Sequence, residues 1–294
     1  MRGLWVLVLA GRVAAEPLPT GLALDAAARK IYVADTRSGV VRLIDLGDLG
    51  GEPRTVWPLD ASKVSPSALA LDGRGGLYVA DSVHETIHRV DLASGQSIVA
   101  AADEAVPSVR LHKVMAITVA ADGLVYFADT LHHVIRRLHP ATRAVTVVAG
   151  TWNRAGDSDG VARTASFNWP SGLVADQAGH LYVCDWKSGR VRRITLSDGK
   201  VETLAKGLKS PVGLALSDKH LYIFDGGSHQ IRSLDLLDNK LTITARGVAH
   251  TLTDSFGESP AGLAADGDTL YFVGGGAELV RKLSLKTGAA QPLR

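Results

Sequence analysis

The chain has 294 residues, 46% of them hydrophobic and 21% charged, which supplies a large core and excludes global disorder. Its 32 basic and 30 acidic side chains leave a formal charge of +2, so neither nucleic acid nor an acidic membrane is a default partner. A single cysteine, Cys184, excludes an intrachain disulfide framework and a multi-cysteine zinc site, and no apolar run approaches the ~20 residues of a membrane span.

Residues 1–16, MRGLWVLVLAGRVAAE, have two readings. As a signal peptide, Arg2 is the basic region, 4–10 the apolar stretch and 13–15 an A-x-A-like cleavage site, and the chain is secreted or periplasmic. As structure, LWVLVLAG is a strand that closes the edge of a sheet, and the chain is cytoplasmic. In both readings residues 17–294 form one domain.

From residue 20 onward one pattern occurs six times. Its first strands are TGLALD from Thr20, PSALALD from Pro66, MAITVAAD from Met115, PSGLVAD from Pro170, PVGLALS from Pro211 and PAGLAAD from Pro260. The second strands are IYVAD, LYVAD, VYFAD, LYVCD, LYIFD and LYFVG. They end at Asp35, Asp81, Asp129, Asp185, Asp225 and Gly274. A third strand such as VRRITL and a fourth such as AVTVVAG follow, separated by Gly- and Asp-containing turns. Short Val-, Ile-, Leu- and Tyr-rich segments between such turns are strands, and no segment carries a 3.6-residue apolar stripe. Four strands per unit of 40–56 residues is the arithmetic of a propeller blade. The expectation is an all-β, six-bladed β-propeller of four-stranded antiparallel blades.

The pattern resembles the NHL repeat, roughly P-x-G-L-A-V-D, L-Y-V-A-D, R-I-R-R and V-x-T-L-A-G in succession. The long segment 150–173 resembles the connection between blades in many such proteins. The resemblance implies the propeller fold. It leaves function open, since NHL propellers serve as enzymes, as sensor domains and as binding platforms.

Seven residues after each second-strand terminus stands a basic residue: Arg42, His88, Arg136, Arg192, Arg232 and Arg281. A hairpin of constant loop length brings each Asp and its basic partner to one end of the blade. A feature repeated in nearly every unit is architecture, so the pairs Asp35–Arg42, Asp129–Arg136, Asp185–Arg192 and Asp225–Arg232 are expected to be ion pairs. Gly274 leaves Arg281 without that partner, to face solvent or a ligand.

The first strands should line the axis. Their mouth positions are Thr20, Ser67, Met115, Ser171, Val212 and Ala261. The peptidylglycine-amidating lyases of this fold have metal-binding histidines there, and no unit here does. No cofactor is expected and no metal, with His84, His112, His132 and His133 as the weak candidates for one. Cys184 is expected to be structural.

Variation lies in the fourth-to-first connections, which reach one face together with the second-to-third loops. Loops on a rigid scaffold are where binding residues concentrate. The candidate ligand-binding residues are Arg110, His112, Trp152, Arg154, Asp157, Trp169 and His250. Phe167 and one tryptophan could instead plug the gap between blades three and four. The functional expectation is a binding scaffold for a protein, peptide or small-molecule ligand at this face, with nucleic acid disfavoured and no membrane span. The alternative is a lyase or hydrolase with its site at the channel mouth.

Overall fold

The computed structural model describes residues 18–58, 64–102, 110–248, 262–273 and 279–293. They form six antiparallel sheets around one axis, each with its first strand innermost. Blade one consists of Pro19–Asp25, Lys30–Asp35, Val40–Asp45 and Arg54–Trp57. Blade two consists of Pro66–Leu71, Gly76–Asp81, Thr86–Asp91 and Ser97–Ala102, and blade three of Val114–Val119, Val125–Asp129, Val134–Leu138 and Val145–Ala149. Blade four has Pro170–Ala175, His180–Asp185, Arg190–Thr195 and Lys200–Lys206; blade five has Pro211–Ser217, His220–Asp225, Gln230–Asp235 and Leu241–Arg246. Blade six is completed by the C-terminal segment: Leu263–Asp266, Thr269–Val273, Val280–Ser284 and Ala290–Pro292. The expected fold is therefore present, with one addition. Gly160–Val161, from the longest connection, pairs with Lys200–Val201 as a fifth, outer strand of blade four. Two residues are too few to show an alternation in sequence. Helix among the described residues is limited to three 3-10 turns, so no helix there is long and apolar enough to cross a membrane. Residues 1–16, with the two readings given above, lie outside the described residues, as do His250 and Gly274.

The apolar core is divided into slabs between blades. Each sheet is covered on both faces, so the central residues of the second strands of blades one to five are apolar and buried in succession rather than alternating. Tyr32, Ala34 and Trp57 pack on Leu69, Val79 and Val90 between blades one and two. Phe167, Ala149 and Ile135 pack on Leu173, Val183 and Ile194 between blades three and four. Phe167 is thus the plug that one sequence reading made of it. The ring closes where Leu22, Ile31 and Val33 meet Val273 and Val280, and where the Gly262 N–H donates to the Thr20 carbonyl at 3.0 Å.

Hydroxyls at the mouth stitch neighbouring blades. Thr20 and Thr36 donate to the Pro66 carbonyl, Ser67 to Val114, Thr130 to Pro170 and Ser171 to Pro211. The small polar residues expected around the mouth are therefore occupied in holding the ring. Cys184 lies fully buried in the second strand of blade four, with its thiol directed at the Gly213 carbonyl at 3.8 Å. Burial pushes this thiol well above its ordinary value, and the nearby Asp225 and Asp185 charges push the same way. Alkylation needs the thiolate. Iodoacetamide at pH 8 is therefore expected to modify the folded chain only as fast as it opens, with the rate rising across the urea transition. Rapid labelling in native buffer would place Cys184 outside the core.

Candidate ligand-binding face

The face bearing the second-to-third loops and the fourth-to-first connections is organised by five buried aspartates, Asp35, Asp81, Asp129, Asp185 and Asp225. One oxygen of each takes a backbone N–H from the connection entering its own blade. The donors are Leu18, Ser65, His112, Asn168, and Lys209 with Ser210, at 2.6–3.1 Å. The other oxygen takes the third-strand arginine: Arg42 at 3.1 Å, Arg136 at 2.9 Å, Arg192 at 2.9 Å and Arg232 at 3.5 Å. All four expected pairs are present. Blade two departs from the rule. His84, not His88, meets Asp81, its Nδ1 2.7 Å from Oδ2, while His88 turns to the Thr86 hydroxyl and the Trp57 ring. Burial lowers the His88 pKa, so its ring is no substitute for arginine's permanent charge. Arg281 places its guanidinium 5.9 Å from the Phe272 ring centre.

The connection 150–169 supplies a further clamp. Asp157 pairs with Arg190, and Asp159 with Arg192 at 2.7 Å. Arg192 also donates to the Ser166 and Ser158 carbonyls. Both carboxylates of the Asp-Ser-Asp-Gly stretch thus bind arginines of the blade beneath.

The predicted site residues fall into two neighbouring groups. In the first, Trp152 stacks on His132 with ring centres 3.9 Å apart, and the Arg136 guanidinium lies 5.2 Å from the Trp152 ring. His112 meets His132 edge-on at 5.4 Å and sits 3.8 Å from the Glu85 carboxylate. The Arg110 carbonyl accepts from Arg136. Arg154 is exposed in the same connection. The histidines are held separately: His132 Nδ1 lies 2.9 Å from Asp129, and His133 Nδ1 accepts the Trp169 N–H at 3.3 Å. Burial, with the neighbouring His132, lowers the His133 pKa and keeps that nitrogen an acceptor. Among the described residues no three His, Cys, Asp or Glu side chains gather around a common point.

The second group is built on Trp169. Its φ of 61° places a bulky residue before Pro170 in the left-handed region, which such residues seldom enter. The segment is held from several sides: the Trp169 N–H by His133, its carbonyl by the Trp186 N–H, and the Asn168 carbonyl by the Lys187 N–H. Trp169 and Trp186 meet edge-to-face at 5.5 Å, and Lys187 Nζ lies 5.0 and 4.6 Å from their ring centres. The Trp186 indole N–H donates to Ser210 Oγ at 3.0 Å, and the exposed Lys209 precedes Ser210 in the chain. Sequence reasoning missed Trp186 and Lys187. The signal was a deviation inside the repeat. The residue after the second-strand Asp is Thr36, Ser82, Thr130 or Gly226 elsewhere, and tryptophan only in blade four.

Comparisons with known proteins agree with this architecture. A family model of the NHL repeat matches residues 167–194, from Phe167 through the third strand of blade four. Protein SUPPRESSOR OF QUENCHING 1, chloroplastic, of Arabidopsis thaliana is 31% identical over 182 residues, which cover 55% of this chain and 17% of that protein. NHL repeat-containing protein 2 of Bos taurus is 28% identical over 159 residues, 48% of this chain and 22% of that one. The matches thus span less than a quarter of either relative. Among solved structures, a chain of the nidogen/laminin complex superposes with a TM-score of 0.65 at 21% identity, covering 85% of each chain. Virginiamycin B lyase from Staphylococcus aureus gives 0.62 at 16% identity, covering 93% of this chain and 83% of that one. At such identities the likeness is one of fold. The chain is a six-bladed β-propeller whose fourth blade matches the NHL repeat.

Proposed function

We propose that this propeller is a binding scaffold whose ligand, a protein, peptide or small molecule, sits on the loop-rich face over blades three to five. One contrast carries the reading. The axial channel, a cavity of about 300 Å³, is lined by Gly, Ala, Leu, Ile, Val, Met, Ser and Thr side chains, with no ionisable group among its described lining residues. Acid–base chemistry at the mouth would need one. On the neighbouring loops, half-exposed aromatic rings lie beside charged groups, the usual composition of a binding surface. The enzymes among proteins of similar fold support a lyase only by analogy of fold.

The experiment is a screen of peptides and metabolites against the purified chain, read by tryptophan fluorescence. Trp169→Ala and Trp152→Ala are expected to weaken any ligand found by tenfold or more, the scale of an aromatic anchor. A ligand that binds both folded variants with unchanged affinity, or that is chemically converted, would overturn the proposal.

A further inference from the structure

Resting on that binding reading, we propose that the occupant of the Trp169–Trp186 site is an acidic segment of a partner protein, its carboxylates meeting Lys187 and Lys209 while an apolar or aromatic side chain lies on Trp169. Five carboxylates on this face already have partners. Asp129, Asp185 and Asp225 are buried and bonded to backbone N–H groups and to His132, Arg136, Arg192 and Arg232. Asp157 and Asp159 hold Arg190 and Arg192. The cations are not matched in the same way. Lys187 and Lys209 are exposed, and neither has a carboxylate within 4.0 Å among the described residues.

Lys187 is not a loose surface lysine. Its ammonium lies against two tryptophan rings that are themselves fixed by backbone hydrogen bonds and by Ser210. A cation positioned on aromatic faces without a counter-ion is pre-organised for an anion, and little side-chain entropy remains to be lost on binding. The same arrangement argues against a cationic ligand, because Lys187 already sets a positive charge against both rings. A polyanion is disfavoured for a different reason. The whole chain carries only +2, and two lysines are too few for a track that could follow a phosphate backbone. A short carboxylate-bearing segment matches the size and sign of the site.

The test uses the full chain and matched short synthetic peptides, each with one tyrosine among glutamates, glutamines or lysines, together with an oligouridylate of similar length. Affinities come from calorimetry, and the site is located by the indole N–H signals of Trp169 and Trp186 in NMR spectra. The glutamate peptide is expected to bind about tenfold more tightly than the glutamine peptide at low salt, to lose that margin as salt screens the contact, and to shift both indole signals. Lys187→Met and Lys209→Met, which break no ion pair among the described residues, should each weaken it about fivefold with the circular dichroism spectrum unchanged. If the glutamine or lysine peptide binds equally well and still requires Trp169, the carboxylate assignment falls and the scaffold reading stands. Tighter binding of the oligouridylate would overturn the assignment in favour of a nucleic acid. If no probe moves either indole signal, both the assignment and this placement of the binding site fall.

Discussion

Replacing Arg192 by alanine is expected to destabilise the propeller by about 3–5 kcal/mol, the cost of stranding a buried charge. Arg192 is fully buried. Its Nη1 donates to Asp185 at 2.9 Å and to the Ser166 carbonyl at 3.1 Å, and its Nη2 donates to the Ser158 carbonyl at 2.8 Å and to Asp159 at 2.7 Å. The guanidinium also lies 5.2 Å from the Phe167 ring centre. Deletion leaves a buried carboxylate and two carbonyls without this donor and unfastens the connection that carries Trp152 and Trp169. The pH dependence follows from Asp185. Burial pushes its carboxyl up to about 6, against the opposing pull of the Asn168 N–H and Arg192. The folded value thus lies above the unfolded value of ~3.9, so this group favours folding most below pH ~4, and its contribution is lost as pH rises through about 6. Without Arg192 the ionised form has lost its counter-charge. The Arg192→Ala deficit should therefore be larger at pH 8 than at pH 5, measured by urea unfolding. Arg42→Ala is the control: Arg42 is 29% exposed, its loss admits water to Asp35, and the cost should be smaller. Equal small losses at both positions, or a deficit independent of pH, would contradict the buried-pair account.

The blades and the Asp–Arg pairs were legible in the sequence because both are local. A strand, a turn and a partner seven residues away lie within one hairpin, and six copies make the pattern stand out. What could not be read depends on contacts across longer stretches. The second task of Asp185, fixing the Asn168 N–H, joins residues 17 apart, and the Asp159–Arg192 contact joins residues 33 apart through a loop without periodicity. Asp157 stood among the candidate binding residues because an exposed acid in a long loop has no visible partner in sequence. The structure supplies Arg190. Trp152, Trp169, His112 and Arg110 were picked out because they stand in the variable connections, and in the structure Trp152 and His112 meet His132 while Trp169 is held by His133. Trp186 and Lys187 escaped because they sit in a loop of constant length, where only the change of residue type within the repeat marks them.

Gly172 offers the second large effect, and it tests how closely the blades approach. In the P-x-G-L pattern the glycine recurs at Gly21, Gly172, Gly213 and Gly262. A Cβ on Gly172 would lie 2.8 Å from the Val212 carbonyl oxygen of blade five and 3.1 Å from the Cys184 sulfur. A Cβ on Gly21 would likewise lie 2.8 Å from the Ser67 carbonyl oxygen of blade two. These are steric rather than conformational demands, because neither glycine has a positive φ. The Val212 carbonyl belongs to a first strand held in its own sheet, so it cannot retreat without moving blade five. Blades two and three carry Ala68 and Ala116 at the corresponding position, so a methyl group is accommodated in those two blades. Gly172→Ala should therefore cost about 1–3 kcal/mol as an overpacked contact, and Gly172→Val more. The paired measurement is Cys184 alkylation. The substitution presses on the sulfur directly and separates blades four and five, so thiol labelling in native buffer should accelerate as the urea midpoint falls. Retention of wild-type stability by Gly172→Val would mean that the blades stand farther apart than their carbonyl-to-glycine contacts require.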